Sequence, residues 1–527
     1  MLQRSAVTRP AAIALAIVIA AVAVIRAPSV RVDILNEDEA LYATTAASMA
    51  DGEPPYRAGV ESKPPGIFYI YEAGFALVGR YDMRALHALT MLWVLGTALL
   101  VGAIARRAVK RDKGRAFDVG VLASLLYAGF TIVQEPAVLA TQCELMYSLP
   151  LAGAAYLILR GLDSRGAREM LALVAAGVLC GAGTLIKPTA VSLPVAAAGW
   201  LVLRRKLFGG PDPWLRDVAR AALIWLGLAL AWLAAAAYFS HLGVWDDLIY
   251  WAFRWTLGTY IPTGSSHSPW LTRFLAGFVV WAVLTTALWI AAAFAIRDAR
   301  VRREPGAQVV WLLVAWTAAA TALTFLGGRF FDHYFPAPVT PLSALAAIGA
   351  WSLRDRVRWR RGLAVGALVP VVACWLGAWQ FATTMRWLGD DRKPYDEIAA
   401  YIDEHTEPTD RVFVWGYYPL IYVAADRLAA TRFVGCHYLT GYAAIGLSQD
   451  LPPAIEDKLG VPDGFATLLE DLREYRPALI VDTAPGDLHH WKRYPLSRYP
   501  QLADFVAERY QRVAVVQGAV IYRRVAP

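Results

Sequence analysis

Long apolar runs alternate with short polar segments along the first 385 residues of the chain. Most runs contain about 15 to 25 mainly apolar residues, close to the length that a helix needs to cross the hydrocarbon core of a bilayer. The pattern therefore predicts about 11 transmembrane helices, at residues 11–25, 86–105, 117–133, 145–159, 170–186, 190–203, 218–239, 271–296, 309–326, 339–353 and 363–383.

The distribution of arginine and lysine predicts the orientation of these helices across the membrane. Basic residues cluster after alternate runs, as in "RRAVKRDKGR" (residues 106–115) and "RDRVRWRR" (residues 354–361), and such clusters are typical of cytoplasmic loops. Ala21-Val22-Ala23 resembles a signal-peptide cleavage site, but the later apolar runs favour an uncleaved first helix. We therefore predict a multi-pass protein of the inner or plasma membrane with a cytoplasmic N-terminus. Residues 240–270 predict an amphipathic helix in the outer interface of the membrane.

The C-terminal part of the chain has a different pattern. Short runs of β-branched and aromatic residues alternate with helical segments, which is typical of a small α/β domain. Strands are predicted at residues 411–416 and 478–484, a helix around residues 502–510 and a hairpin at residues 512–524. We therefore predict a transmembrane domain at residues 1–385 and an extracytoplasmic α/β domain at residues 386–527.

The composition argues against several other classes of protein. Hydrophobic residues make up 57% and charged residues 18% of the 527 residues, which is too apolar for a soluble chain of this length. The net charge of +8 is spread over short loops, and so it does not predict nucleic-acid binding. The four cysteines form no CxxC pair and no cysteine–histidine metal spacing, and we expect them to be buried apolar side chains.

Three acids follow the first apolar run, in the segment "NEDEALYA" (residues 36–43). Asn36 and Glu39 have the spacing of a capping box, and acids in a first helical turn also interact favourably with the helix dipole. This structural explanation accounts for one or two acids. It does not account for three beside a membrane, where charge is costly unless it is solvated or used. We therefore predict that this cluster belongs to a functional site.

Lys63 and Glu144 lie on the same predicted face of the membrane as the acids. Lys63 precedes two prolines that stiffen the backbone, so its ammonium is held near the acids of the same loop. A lysine is a suitable point-charge partner for a phosphate. Glu144 begins a predicted helix, where a lone carboxylate is costly. The alternatives are a lysine that snorkels at the interface and an ordinary acid at a helix end.

Two further turns on this face contain cations. Lys187 joins two apolar runs, and the turn "GGRFFDHYF" contains Arg329, His333 and Tyr334. Arginine and histidine beside aromatic residues can bind a phosphate that carries an apolar tail. The alternatives are a solvated loop lysine and an interfacial aromatic belt with one ion pair. Together, carboxylates and cations suit a reaction with an anionic leaving group and an acceptor that loses a proton.

These motifs resemble those of a known family. Asp38-Glu39-x-x-Tyr42-Ala43, followed by Lys63-Pro64-Pro65, is similar to the first outer loop of the GT-C glycosyltransferases that use polyprenyl-phosphate sugars, above all the protein O-mannosyltransferase and lipid A aminoarabinose transferase groups. Glu144 stands where many relatives have aspartate, and Ser62, with Glu61 before it, where relatives often have an acid. The resemblance extends from about Asn36 to Pro341, through "TQCELMYSLPLAGA" (residues 141–154), "TLIKPTA" (residues 184–190) and "HYFPAPVTPL" (residues 333–342).

The resemblance implies a mainly α-helical, polytopic GT-C fold with juxtamembrane helices on the outer face, and the transfer of a sugar from a polyprenyl-phosphate donor to an acceptor hydroxyl. The reaction expected is an inverting single displacement at the extracytoplasmic face. Asp38 would be the general base or would orient the acceptor, with Glu39 and Glu144 as further catalytic acids. The groups expected to bind the lipid phosphate are Lys63, Lys187, Arg329, His333 and Tyr334.

The expected partners are the lipid-linked sugar, an acceptor glycolipid, glycan or protein, and membrane lipid, with no nucleic acid. No cofactor is required; a divalent cation is allowed, with Asp38 and Glu144 as the candidate ligands. The rival interpretation is a transporter or flippase for a lipid-linked or anionic substrate, and a third is a membrane scaffold whose outer domain binds partners. A transporter should carry charges near the middle of its helices. Here the notable charges lie towards one face, which favours the enzyme.

Overall fold

The computed structural model describes residues 9–109, 113–134, 136–208, 212–266, 270–302, 306–353, 356–387, 394–445 and 456–525. Its N-terminal part is a bundle of helices. These helices are α1 (Arg9–Arg26), α2 (Glu37–Ala50), α3 (Gly66–Val78), α4 (Met83–Arg107), α5 (Lys113–Phe130), α6 (Cys143–Leu162), α7 (Ala167–Ile186), α8 (Ser192–Phe208), α9 (Trp214–His241), α10 (Trp245–Ile249), α11 (Ile261–Ser266), α12 (Trp270–Arg273), α13 (Val280–Leu284), α14 (Thr286–Arg302), α15 (Ala307–Thr324), α16 (Pro336–Ser352) and α17 (Val357–Trp387).

Each predicted apolar run coincides with a helix or a group of helices. Among the described residues, six helices are long and apolar enough to cross a membrane, namely α4, α6, α7, α9, α15 and α17. A seventh span is formed if Trp270–Leu284 and Thr286–Ala299, which meet at an angle of 61°, count as one bent helix. Shorter apolar helical segments lie in or overlap α1, α3, α5 and α8. The predicted basic loops fall partly on residues 110–112 and 354–355, outside the described ranges.

The bundle is tightly packed where small residues face each other. A Cβ atom on Gly177 of α7 would lie 2.0 Å from the carbonyl oxygen of Ile224 in α9. A Cβ atom on Gly227 of α9 would lie 2.0 Å from the carbonyl oxygen of Val174 in α7. The two backbones therefore touch directly, as is common between apolar helices that cannot rely on a hydrophobic driving force for association.

The segment between α9 and α12 is helical but not regular. Tyr250–Tyr260 forms a π-helix between α10 and α11, and Phe274–Val279 forms a second π-helix between α12 and α13. Within residues 240–270, the predicted helix is thus present over residues 245–266, with a π-helical hydrogen-bond pattern at Tyr250–Tyr260. Its position in the outer interface of the membrane stays a prediction. π-Helical turns are rare and are often found at functional sites.

The C-terminal region is an α/β unit, as the sequence predicts. Its strands form one five-stranded sheet in the order β2-β1-β3-β5-β4, in which β1 is parallel to β2 and β3, and β5 is antiparallel to β3 and β4. The elements are α18 (Pro394–His405), β1 (Arg411–Trp415), α19 (Leu420–Ala424), β2 (Leu428–Ala429), α20 (Tyr442–Ile445), α21 (Gly464–Tyr475), β3 (Leu479–Asp482), α22 (Pro500–Arg509), β4 (Tyr510–Val516) and β5 (Ala519–Arg524). The predicted boundary after residue 385 falls at the end of α17, beside residues 388–393, which lie outside the described ranges.

Polar contacts join this α/β unit to the loop between α2 and α3. The Val60 amide donates a hydrogen bond to the Arg432 carbonyl at 2.8 Å. Arg411 is 2.8 Å from the carboxylate of Asp51. The sheet region is therefore packed against the segment that carries the candidate acids and Lys63.

Candidate active site

A cavity of about 630 Å³ lies between the ends of several helices and the C-terminal α/β unit. Its volume is typical of a small-molecule site. One part of its wall is apolar and aromatic, with Phe253, Trp255 and Leu323 among the lining side chains. The charged and histidine side chains that line it are Glu37, Asp38, Glu61, Lys63, Glu144, Lys187, Arg329, Asp332, His333, His437 and His489.

Asp38 lies at the cavity wall in the first turn of α2. The Asn36 side chain caps this helix by accepting a hydrogen bond from the Glu39 amide at 2.9 Å. Burial by itself would raise the pKa of Asp38, but the nearby positive charge, first of all that of Lys63, lowers it below the usual range. Asp38 is therefore an anion at neutral pH. A carboxylate of such low basicity is better suited to orienting a hydroxyl than to deprotonating it fully before attack.

Glu39 lies behind the cavity wall rather than in it. Its carboxylate is fully buried and accepts hydrogen bonds from the amides of Leu35 and Thr141, both at 3.0 Å. It also lies 2.8 Å from Nε2 of His87. Burial would raise the pKa of Glu39, but His87 and the hydrogen bonds outweigh this and lower it. The geometry favours an anchor for the start of α2, and the catalytic role predicted for Glu39 stays a prediction.

Lys63 reaches the cavity as part of an ion pair. Its Nζ lies 3.0 Å from Oε1 of Glu61, and it lies 5.4 Å from the centre of the Tyr42 ring. Burial would lower the pKa of Lys63, but Glu61 and its other neighbours raise it well above the usual value. The ammonium is thus charged and fixed in place, as a phosphate-binding cation should be.

Glu144 and Lys187 form a second acid–base pair in the cavity. Glu144 lies in the first turn of α6, and its Oε1 accepts a hydrogen bond from Nζ of Lys187, which follows the end of α7. Lys187 also lies 4.4 Å from the centre of the Tyr334 ring. The other oxygen of Glu144, Oε2, is buried and has no hydrogen-bond partner among the described residues. The pair thus offers a fixed cation and one carboxylate oxygen that is available to a ligand.

The turn between α15 and α16 supplies the remaining predicted residues. Gly327 and Gly328 have positive φ angles of 79° and 63°, which glycine adopts without strain. Arg329, which follows, is buried and stacks on Tyr260, with its guanidinium carbon 4.0 Å from the ring centre. His333 lies beside Tyr334, with ring centres 4.9 Å apart, and burial lowers the pKa of His333. All of these side chains line the cavity.

The C-terminal α/β unit supplies a group of cavity residues that the sequence did not single out. Tyr417 lies just beyond β1, and its hydroxyl donates a hydrogen bond to Oδ1 of Asp38 at 3.4 Å. His489 Nδ1 lies 3.4 Å from the carboxylate of Glu37. Burial lowers the pKa of His437 to about 4, so this ring is neutral at pH 7. The C-terminal residues that line the cavity are Tyr417, His437, Tyr438, Tyr442, Ala443 and His489.

A metal site is not evident in the part of the chain that the structure describes. Within those ranges, no group of three or more histidine, cysteine, aspartate or glutamate side chains is placed to hold a metal ion. Asp38 and Glu144, the candidate ligands, each have lysine as a charged neighbour. A divalent cation stays an untested expectation.

Comparison with known proteins supports the fold. Residues 62–232 match the model of the dolichyl-phosphate-mannose-protein mannosyltransferase family. No curated protein matches the chain in sequence. The apo crystal structure of ArnT from Cupriavidus metallidurans is similar with a TM-score of 0.60 and 16% sequence identity, over 98% of this chain and 99% of that chain. The structure of ArnT bound to undecaprenyl phosphate has a TM-score of 0.59 and 16% identity, over 99% of each chain.

A more distant similarity points to the same architecture. The oligosaccharyltransferase AglB from Archaeoglobus fulgidus, in complex with an inhibitory peptide and a dolichol-phosphate, has a TM-score of 0.53 and 12% identity, over 98% of this chain and 74% of that chain. These similarities establish the fold, which is the GT-C fold of a multi-pass membrane protein with a C-terminal α/β region. The resemblance that the sequence motifs indicated is thereby confirmed.

Proposed function

We propose that this GT-C protein transfers a sugar from a polyprenyl-phosphate donor to an acceptor hydroxyl. The observation that carries the proposal is the cavity in which the Asp38 carboxylate faces the cations Lys63 and Lys187. Two similar structures support the lipid class, because one contains undecaprenyl phosphate and the other a dolichol-phosphate. The family model that matches residues 62–232 is named for dolichyl-phosphate-mannose, and it therefore supports a sugar linked to such a lipid.

The proposed step is one displacement at the anomeric carbon. Asp38 accepts a hydrogen bond from the acceptor hydroxyl, orients it and takes its proton as the new carbon–oxygen bond forms. The bond between the anomeric carbon and the phosphate oxygen breaks, and the lipid phosphate leaves with the electron pair. Lys63 and Arg329 stabilise the charge on the leaving phosphate, with support from Lys187, His333 and Tyr334. A single displacement inverts the anomeric centre, and it needs no cofactor.

We further propose that the cavity opens on the extracytoplasmic side. Lys187 lies before the start of α8, and Arg204, 17 positions later, lies near the far end of that helix. There it is buried in an ion-pair network with Asp217 and Arg220. Basic residues at the ends of helices are typical of the cytoplasmic side. This distribution supports a site, and a C-terminal α/β unit, on the opposite face.

A transporter is the weaker proposal for this geometry. The charged side chains of the cavity lie in loops and at helix ends, as in α2, α6 and the turn before α16. Transport sites usually lie near the bilayer midplane between broken helices. Screening of lipid-phosphate sugars against glycolipid, glycan and protein acceptors identifies the sugar and the acceptor class.

Replacement of Asp38 tests the proposed function. We expect Asp38→Asn to lower transfer by at least about 100-fold, because the hydroxyl loses the group that orients it and takes its proton. The measurement is release of polyprenyl phosphate from a panel of lipid-phosphate sugars supplied to the purified protein. Asp33→Asn, at an exposed acid paired with Arg84, is the matched control and should be active. Normal turnover by Asp38→Asn would refute the assignment.

Replacement of Lys63 tests the donor side of the same cavity. We expect Lys63→Ala to weaken donor binding most, because a charge-assisted contact to the phosphate is lost. The Michaelis constants for donor and acceptor, measured separately, distinguish the two sides. A change confined to the acceptor would contradict the role of Lys63 as a phosphate ligand.

A further inference from the structure

The short segment Val60–Lys63 is held in place by the C-terminal α/β unit. The Val60 amide bonds to the Arg432 carbonyl at 2.8 Å, and the Ser62 amide donates to the Tyr438 hydroxyl at 3.0 Å. The Tyr438 hydroxyl in turn donates to Oε1 of Glu61 at 2.8 Å. Tyr438 therefore accepts one hydrogen bond from this segment and donates another to it.

Glu61 joins Tyr438 to the cation of the cavity. Its Oε1 accepts hydrogen bonds from Tyr438, from the Ser62 hydroxyl at 2.7 Å and from Nζ of Lys63 at 3.0 Å. Both side chains line the cavity, but that of Glu61 is only 3% exposed, whereas that of Lys63 is 17% exposed. The carboxylate is thus the more buried support, and the ammonium is the part that is more accessible to a ligand.

The position of the Tyr438 hydroxyl is itself fixed by packing. The Tyr438 ring contacts two tryptophans of the π-helix edge to face, with ring centres 5.2 Å from Trp251 and 5.0 Å from Trp255. Tyr438 is 2% exposed. Packing against two aromatic rings restricts the orientation of this buried tyrosine and therefore the position of its hydroxyl. A phenylalanine at this position lacks the hydroxyl but keeps the ring contacts.

We propose that Tyr438 is a positioning residue that acts through Glu61 and holds the Lys63 ammonium at the wall of the cavity. The C-terminal α/β unit then sets the affinity of the site for a lipid phosphate, in addition to lining it. This inference rests on the proposed function for the identity of the ligand. It assigns Tyr438 to the donor side of the reaction, and no contact between Tyr438 and the reacting atoms is needed.

The test compares two tyrosines that each donate to a buried glutamate. Undecaprenyl phosphate is titrated into the purified full-length protein, and binding is followed by intrinsic tryptophan fluorescence. We expect Tyr438→Phe to weaken binding about five- to tenfold, the range of one ordinary hydrogen bond, because Tyr438 acts on the ligand only through Glu61 and Lys63. Tyr494→Phe is the matched control, because the Tyr494 hydroxyl donates to Glu456 at 3.0 Å and does not line the cavity. This control should bind within about twofold of the wild type.

Further measurements separate positioning from general loss of structure. In the transfer assay, Tyr438→Phe should raise the Michaelis constant for the donor and leave that for the acceptor unchanged. Glu61→Gln should weaken undecaprenyl phosphate binding by a similar factor. The double variant should bind undecaprenyl phosphate about as well as the single variant with the lower affinity, because both residues act on Lys63 through one chain of contacts. If Tyr438→Phe cannot be purified in folded form, the test rests on Glu61→Gln. An affinity of Glu61→Gln for undecaprenyl phosphate equal to that of the wild type then overturns the inference.

The possible failures are distinguishable. If the wild-type protein binds undecaprenyl phosphate no better than Lys63→Ala does, the proposed function fails and this inference with it. If the wild type binds and Tyr438→Phe binds equally well, only the role of Tyr438 is overturned. Additive losses in Tyr438→Phe and Glu61→Gln would also overturn it.

Discussion

Replacement of Glu39 by glutamine should separate the two neighbouring acids of α2. The fully buried carboxylate accepts from the amides of Leu35 and Thr141 on different oxygens and faces His87 at 2.8 Å. Glutamine has a similar shape but only one acceptor oxygen, so its amide nitrogen must face a donor. Leaving a buried donor without its charged acceptor costs about 3 kcal/mol.

The assay is thermal unfolding of the purified protein, followed by tryptophan fluorescence, at several pH values. At pH 7 we expect a Tm for Glu39→Gln that is lower by about 3 °C. The pKa of Glu39 is lowered on folding from an ordinary value of 4.5, so its stabilisation is complete above pH 4.5 and is lost as the pH falls through the folded-state pKa. The difference between wild type and variant should therefore narrow in acid.

Asp38→Asn is the comparison that makes this test decisive. Asp38 lines the cavity, so its replacement should leave the Tm near that of the wild type while transfer is lost. A Glu39→Gln protein with the wild-type Tm and no transfer would refute the reasoning, and would assign the catalytic role to Glu39 instead.

Two further predictions concern the cavity and the bundle. Lys187→Met should weaken undecaprenyl phosphate binding about tenfold, because one charged contact is lost. Lys458→Met, at an exposed lysine outside the cavity, is the control and should bind like the wild type. Equal binding by the two variants would show that Lys187 does not bind the phosphate. Gly227→Ala should destabilise the protein by about 1–3 kcal/mol in thermal unfolding, because the added Cβ meets the Val174 carbonyl. Gly199→Ala, in the open on α8, should not lower the Tm, and an equal loss in both variants would contradict direct backbone contact between α7 and α9.

The helices and strands could be predicted from the sequence because their patterns are local. Each apolar run became helical, and the runs at residues 411–416 and 478–484 became β1 and β3. The choice between Asp38 and Glu39 could not be made in this way. Adjacent residues on an α-helix point about 100° apart, and only the packing of α2 against His87 and Thr141 decides which carboxylate faces the cavity.

The part of the site that lies in the C-terminal region was missed for a different reason. Tyr438 and Glu61 are separated by 377 positions, and no local pattern connects them. One signal was nevertheless present. Ligands of α/β sheets bind at the carboxyl ends of parallel strands, and Tyr417 and His489 both follow such ends, after β1 and β3. A search for polar and aromatic residues at those ends would have found both.

The contacts between residues 60–63 and the C-terminal unit also bear on how the protein is made. Tyr438 and Arg432 are synthesised some 370 positions after the segment that they hold. At translation rates of about 5–20 residues per second, that segment waits at least roughly 20 seconds for its partners. A chain still on the ribosome, or one that ends early, therefore has the acids and lysines of the site without the support that fixes them. Completion of the cavity wall beside Lys63 is therefore tied to completion of the polypeptide.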